Sequence, residues 1–477
     1  MPPEAGPRLV TVPAMRHAWA TVAVVALATF QVAMTLSAVF VVFVDLGDYF
    51  PAASNAELSW AINAFTIVSA STVVLGAAIG DQWGRKRVAL IGTGIFALGS
   101  IVAGTAPGIT VLIIGRCIQA LGAALSGPSS LALVLEAFPF EKRGIAIGVF
   151  TMGGGLAAAA GPALGGLIVE NYGWRWAFLA VVPIGLISVA VGAVIFTESY
   201  GVRREQLPDP IGSLMLMFGV GSVILALVQT DEWGWLDEQT LLAAAVGLAL
   251  IVALLRRSMR HPAPIIDLDL YRYRSFRAGN AGIATFAASF FTMQFAAIFF
   301  LTEVWGYEIG RAGLLASPYF LATGLMGPIA GRIVDRIGPR PVVTTGATLW
   351  ALAVFVLALS VGEDPNVGLW LTVVVAGGIG SGLFWGSAPT LSLEDLDGPR
   401  VARASGINQT MQSTGNALAI AIAITLLGND PSRSDFTPVF IMVIGVGALS
   451  AAASWSAGPR VVRISEESVP TASPVAT

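Results

Sequence analysis

Long apolar stretches, each closed by a short polar turn, recur along almost the whole chain. A helix that crosses the hydrocarbon core of a bilayer needs about 20 mostly apolar residues. Fourteen runs meet that need, at 18–44, 57–79, 88–106, 110–135, 144–168, 175–196, 211–229, 239–255, 279–303, 312–331, 342–361, 367–392, 404–428 and 436–457. The pattern predicts an all-α membrane protein with fourteen transmembrane helices. The polar residues between the runs set its orientation. With the N-terminus placed inside and the loops counted alternately, Arg175, Arg311 and Arg433 fall outside and Arg116 falls within a span; every other one of the 26 Lys and Arg residues falls inside. Such asymmetry follows the positive-inside rule. Adding or losing one helix would invert every later loop and abolish it. Both termini are therefore expected on the cytoplasmic side of the cell membrane.

Composition agrees with this picture. The chain is 55% hydrophobic and 12% charged, with a mean hydropathy of +0.78, against about 25% charged in soluble domains. A net charge of −3 offers no basic field for nucleic acid. Cys117 is the lone cysteine, and His17 and His261 lie in loops, so no disulfide, metal or cofactor is expected. The first apolar run is too long for a signal-peptide core. The segments between runs are too short for a soluble catalytic domain and no intramembrane His/Asp/Ser constellation appears, so an enzyme is not expected. No G-x-x-x-x-G-K-[ST] loop is present, which points to an ion gradient rather than ATP as the energy source.

The chain repeats itself. After span 2 it reads GAAIGDQWGRKR and after span 10 GRIVDRIGPRP. Each copy has an aspartate, a glycine three positions on, and arginine, in a short inside loop. Asp81 and Asp335 stand eight spans apart, whereas a doubled six-helix unit would separate them by six. Spans 7 and 8 make up the difference. The expected organisation is a tail at 1–17, a six-helix bundle at 18–197, linkers with two extra helices at 198–278, a second bundle at 279–457 and a tail at 458–477. Internal repeats of this kind are frequent in secondary transporters. In each loop the glycine makes the turn, and the carboxylate can accept from helix N-terminal amides or pair with arginine, which would latch a cytoplasmic gate.

These residues resemble the major facilitator superfamily, and within it the fourteen-helix drug:proton antiporters. The loop motif G-x-x-x-D-x-x-G-R-K is matched by Asp81, Gly84, Arg85 and Lys86, with Ala77 in place of the first glycine, and its second copy keeps Gly331, Asp335, Gly338 and Arg340. RCIQALGAALSGPSS on span 4 is similar to the R-x-x-Q-G-x-G pattern through Arg116, Gln119 and Gly122, with Ala120 replacing one glycine. GPALGG at 161–166 on span 5 (Gly161, Pro162, Gly165, Gly166) resembles the glycine-proline motif of the family's exporters. WRWAF at 174–178 with Pro183 and Gly185 points to the same branch, although Val181 replaces an expected Asn. The resemblance implies alternating access between two six-helix bundles and export of hydrophobic or amphipathic drug-like molecules against inward proton flow. One departure counts against coupling: the acidic residue usual on the first helix falls on Ala33. An uncoupled facilitator, a proton-coupled importer, or a lipid or metabolite transporter of the same fold stays open beside the exporter. Small-molecule substrate, protons and the bilayer are the expected partners, and a monomer the expected state.

An intramembrane charge is costly and marks function by default. Arg116 with Gln119 is therefore expected either to take part in proton coupling or to pin helices through backbone carbonyls. Asp45 and Glu303, at the outer ends of spans 1 and 9, are the candidate proton carriers. Gly154, Ala158, Gly161 and Gly165 form a small-residue stripe on span 5 that permits close helix approach, and Pro162 should bend that helix. Gln31, Asn63, Gln294, Asn408, Gln412 and Asn416 are candidate cavity residues, the last three on one face of span 13. Phe65, Phe286, Phe290, Trp305 and Trp385 could supply an aromatic lining. The basic 256–277 segment is expected either to lie as an amphipathic helix on the anionic leaflet or to form a solvated linker.

Overall fold

The computed structural model describes residues 12–51, 53–139, 143–201, 208–396, 398–428 and 431–458, without the side chains of 12–15, 48, 143–152, 155, 231, 398, 399 and 402. The basic loop residues Arg8, Lys142, Arg203, Arg204, Arg460 and Arg463 lie outside the described residues. The described residues hold helices and no strand. Thirteen helical stretches among them are long and apolar enough to cross a membrane. The 30-residue helix Arg143–Tyr172 occupies span 5, which completes the expected fourteen.

The first bundle comprises α1 (Val12–Tyr49), α2 (Asn55–Trp83), α3 (Arg85–Gly104), α4 (Ile109–Ala137), α5 (Arg143–Tyr172) and a broken sixth span, α6 (Trp174–Leu179) and α7 (Val182–Ile195). The break has a local cause. Pro183 supplies no N–H and its ring excludes the carbonyl four residues earlier, so the chain restarts with proline in the first turn of α7. Next come α8 (Pro210–Val228), the single turn α9 (Thr230–Trp233) and α10 (Glu238–Ser258). The second bundle comprises α11 (Arg274–Phe299), α12 (Ile309–Ile337), α13 (Pro339–Ser360), α14 (Val367–Trp385) with the short α15 (Ala388–Leu393), α16 (Gly398–Leu427) and α17 (Phe436–Trp455). Pro389 breaks span 12 between α14 and α15 as Pro183 breaks span 6. α11 ends in a π-helical turn, Phe300–Val304.

The halves meet along two seams, α5 against α12 and α2 against α16. α8 and α10 form a hairpin whose close approach is made by Gly219 and Gly247: a Cβ on Gly247 would lie 2.8 Å from the Gly219 carbonyl oxygen. α8 does not sit between the bundles. It covers the α2–α16 seam from outside, through Leu216, Val220, Ile224 and Val228 against Ile67, Ala417 and Ala421. The 256–277 segment forms no amphipathic helix. α10 ends at Ser258, Pro262 and Pro264 interrupt the chain, and only a 3₁₀ turn, Leu268–Arg272, precedes α11. Ile265 and Ile266 tuck beneath the hairpin. Arg403 holds Asp267 at 3.0 Å, and the Arg400 guanidinium donates to the Tyr273 hydroxyl at 2.6 Å.

Candidate functional site

Between the halves lies a cavity of about 980 Å³ of empty volume, open mouth included. Its walls come from α1, α5, α11, α12, α14 and α16. From the first half come mainly small residues: Ala33, Ser37, Gly154 and Ala158. From the second come Phe290, Phe291, Phe320 and Trp385. Thr323 and Gln412 add polar atoms, and among the described residues no charged side chain lines the cavity. At the end away from the 81–87 loop, aromatic side chains cross between the halves and cap the cavity. Phe43 meets Phe295 edge-on at 5.1 Å and Phe299 at 6.0 Å between ring centres, and Phe40 meets Phe295 at 6.4 Å. Phe290 forms the cavity wall by packing on Tyr319 and Trp385.

The glycine-proline motif of α5 stands beside this cap and works by absence of side chains. A Cβ on Gly161 would fall 1.8 Å from the Ser37 hydroxyl, and one on Gly165 2.7 Å from Ala38 Cβ, so this face of α5 lies backbone to backbone on α1. The opposite face does the same with α12. A Cβ on Gly166 would meet the Ile309 carbonyl at 2.9 Å, and one on Gly313 would meet the Pro162 carbonyl at 1.9 Å. Pro162 and its neighbouring glycines therefore hold α1, α5 and α12 at closer range than any larger residue allows.

Arg116 is fully buried within the first half. Its Nε donates to the Ala61 carbonyl at 2.6 Å and Nη1 to Gln119 Oε1 at 2.8 Å; Gln119 in turn donates to Ser100 Oγ at 2.7 Å. The guanidinium lies over the Phe65 ring, 4.5 Å from its centre. Its Nη2 has no hydrogen-bond partner among the described residues. A buried cation is costly unless its donors are met, and here a carbonyl, an amide oxygen and an aromatic face meet most of them without a carboxylate. Phe65 therefore serves Arg116 rather than the cavity.

The first loop copy is a charge network. The Asp81 carboxylate accepts from Arg85 Nη2 at 2.8 Å and Nε at 3.1 Å, and Arg85 also pairs with Glu136 at the end of α4. The backbone N–H of Lys86 donates to Glu198 Oε1 at 2.9 Å, and Lys86 Nζ to the Ala193 carbonyl at 2.7 Å. Glu198 thus takes the helix-start amide, while Asp81 takes the arginine pairing, the other role open to it. Gly84 has φ +106°, and a Cβ there would lie 2.7 Å from the Glu198 carboxylate. The loop is latched to α4 and to the chain after α7, all in the first half. The second copy is differently built. Gly338 keeps a positive φ of 82°, but Asp335 is exposed and forms no ion pair among the described residues. Arg340 donates to the Trp455 carbonyl at 2.8 Å and stacks 3.8 Å from the centre of its ring.

The remaining candidates scatter. Asp45 accepts from the backbone N–H of Trp174 at 3.0 Å and so caps α6. Glu303 is exposed on the π-helical turn, with the Thr302 hydroxyl donating to it at 3.4 Å. Gln412 lines the cavity. Gln294 lines a smaller pocket inside the second bundle, among Tyr319, Trp350 and Trp370. Gln31 is buried against Gly185 of α7, away from the cavity. Asn63 reaches Ser59 at 3.4 Å within α2, and Asn416 is buried in α16. Asn408 belongs to a buried chain: the Tyr271 hydroxyl donates to Asn280, Asn280 to Asn408 at 2.8 Å, and Asn408 to Ser392 at 2.6 Å. Burial pushes the Tyr271 phenol up to about 12. Phe286 stacks on Phe384 at 3.8 Å behind the wall. Trp305 is buried at the capped end, where its Nε1 donates to the Gly362 carbonyl. Phe291, Phe320, Ser37 and Thr323 line the cavity without any signal in the sequence that separates them from lipid-facing neighbours.

Comparison with known proteins places this architecture. The sequence profile of the Major Facilitator Superfamily matches residues 24–256 and 278–474. The multidrug resistance protein Stp of Mycobacterium tuberculosis is 33% identical over 374 residues, which span 78% of this chain and 68% of that protein. The tetracenomycin C resistance and export protein of Streptomyces glaucescens is 29% identical, over 79% of this chain and 70% of its own. The multidrug export protein EmrB of Escherichia coli is 27% identical, over 80% and 74%. Among solved structures, a peptide transporter POT crystallised with sulfate superposes with a TM-score of 0.68 at 14% identity, covering 91% of this chain and 93% of that one. That likeness concerns the fold alone. On the profile and the close relatives, the chain belongs to the Major Facilitator Superfamily, as a multi-pass membrane transporter of small molecules.

Proposed function

We propose that this transporter exports lipophilic, drug-like molecules across the cell membrane by alternating access, in exchange for protons. The observation that carries the reading is the central cavity, faced with Phe290, Phe291, Phe320 and Trp385 and without a charged lining side chain among the described residues. Aromatic faces favour planar apolar compounds. A permanent cation would shed its water there with only ring faces to replace it, and an anion with no cation at all, so neutral compounds fit best. Relatives named for multidrug resistance and for tetracenomycin C export support the direction and substrate class. The arginine asymmetry supports a cytoplasmic location for the loops at Asp81 and Asp335 and for both termini. On that reading the aromatic cap closes the outer end and the cavity receives substrate from the inside. The small-residue contacts of α5 with α1 and α12 form the outer closure that must part for release.

Coupling is assigned to Arg116 with Gln119 and to Asp45, whose protonation would release the first turn of α6. Glu303 is the alternative carboxylate. A second reading, an uncoupled facilitator, rests on Ala33: it lines the cavity at the position where the family's acidic residue usually stands. Dye efflux from proteoliposomes under an imposed and then collapsed proton gradient separates the two. Gradient-driven export that disappears in Arg116→Ala, and weakens in Asp45→Asn more than in Glu303→Gln, supports the antiporter. Transport indifferent to the gradient establishes the facilitator. Absence of transport for neutral, anionic and cationic dyes alike sinks the drug-export reading.

A further inference from the structure

Where α10 ends, four side chains that carry or can carry positive charge surround one recess. Arg256, Arg257, Arg260 and His261, with Pro262, line a cavity of about 610 Å³, open mouth included. Two of the four are committed. Arg257 grips Asp209, at 2.5 Å from Nε and 3.0 Å from Nη2. His261 Nε2 lies 4.0 Å from the same carboxylate, while its Nδ1 accepts from the Ala263 amide. Asp209 is itself buried and caps α8 by accepting from the Ile211 amide. This pair pins the base of the α8–α10 hairpin and uses its one negative charge in doing so. Arg256 and Arg260 are exposed and form no ion pair among the described residues.

The surface beside the recess is apolar. Leu248, Val252, Arg256 and Arg260 follow one another at intervals of four along α10 and the turn after it, so they form a single stripe. Leu248 and Val252 are exposed, and Leu255 and Met259 flank them. Read down the stripe, the helix offers apolar side chains at membrane depth and then, where the span ends, two guanidinium groups with no ion pair among the described residues. Guanidinium forks match phosphate oxygens in pairs, and basic recesses at membrane helix ends take up anionic headgroups.

We infer that Arg256 and Arg260 form a binding site for the phosphodiester headgroup of an anionic phospholipid, with its acyl chain along Leu248 and Val252. The site lies on the hairpin, away from the central cavity, and does not depend on the export reading. The lipid shares the hairpin base with the Asp209–Arg257 pair and holds the hairpin in the leaflet that bathes the basic loops.

The test is native mass spectrometry of the full chain in detergent, titrated with phosphatidylglycerol, with phosphatidylcholine of the same chains, and with inorganic phosphate as competitor. A surface arginine contributes about a factor of five to anionic-lipid binding. Arg256→Gln with Arg260→Gln should therefore weaken the tightest phosphatidylglycerol adduct by roughly 25-fold. Lysine at both positions should restore most of it, and the unfolding temperature without lipid should stay at the parent value. Arg277→Gln, at a separate basic recess at the start of α11, should leave that adduct in place. The assignment is overturned if phosphatidylcholine binds equally well, if Arg277→Gln weakens the adduct as much as the double variant, or if millimolar phosphate alone displaces the lipid.

Discussion

The two seams that join the halves are built on different principles. Along α5 and α12 the contact is backbone on backbone: Gly313 under the Pro162 carbonyl, Gly166 under Ile309. Along α2 and α16 it is made by side chains, Thr410 donating to the Ala70 carbonyl at 2.9 Å and Asn55 to the Gly428 carbonyl at 2.8 Å, with α8 laid over the outside. Side chains can change rotamer as helices slide, whereas touching backbones can only be in contact or apart. The first seam therefore suits a two-position closure and the second a contact that persists while the halves tilt.

The largest expected effect tests that contrast directly. Gly313→Leu inserts a Cβ where only 1.9 Å is free, and overpacking of this kind costs about 1–3 kcal/mol. Dye efflux should fall by ~100-fold, with the purified protein still monodisperse. A fall of about tenfold is expected for Asp81→Asn, which strips Arg85 of one partner in a half-buried network. Thr410→Val removes one hydrogen bond from the other seam, worth about 1 kcal/mol, and should reduce efflux less than fivefold. If Thr410→Val proves more damaging than Gly313→Leu, the contrast between seams is wrong.

Smaller effects sharpen it. Burial alone would push the Asp209 carboxyl up, but its bonds from Arg257 and the Gly212 amide outweigh that and hold it below the ordinary carboxylate range. A carboxyl depressed in the folded state stabilises it above the unfolded pKa and loses that contribution as pH falls through the folded one. The parent should therefore unfold a few degrees above Asp209→Asn at neutral pH, with the gap closing below about pH 4. Asp335→Asn should change efflux less than twofold, since Asp335 is exposed and forms no ion pair among the described residues. An equal loss in Asp81→Asn and Asp335→Asn would mean that the two loop copies act alike despite their different surroundings.

Those two loops also mark how far sequence carries. The Asp-Gly-Arg spacing located both turns, because a positive φ demands glycine at Gly84 and Gly338 whatever surrounds them. It could not tell that Glu136 and Glu198, 51 and 112 residues from their partners Arg85 and Lys86, complete one network and leave the other bare. The fourteen spans were legible because charge is excluded from hydrocarbon and collects on one side. The breaks at Pro183 and Pro389 were visible as prolines but not as breaks, since membrane helices such as α4 and α12 carry proline inside them. The cavity was the least legible part. Polarity flagged Gln31, Asn63, Asn408 and Asn416, none of which is among the cavity's lining residues, while three of the four large rings on the second half's side of the cavity are phenylalanines. In a membrane helix a phenylalanine facing lipid and one facing a cavity have the same hydropathy, so no periodicity separates them.

The glycine contacts around Pro162 have a consequence for how such a transporter diversifies. On the proposed reading, closure rests largely on backbone atoms, whereas selectivity rests on a handful of rings, Phe40 on the first half and the others on the second. On that reading, replacing Phe291, Phe320 or Trp385 would reshape what is carried and leave the glycine contacts of α5 in place. A new substrate range can therefore arise by exchange of single wall residues, one at a time, with each intermediate still able to open and close.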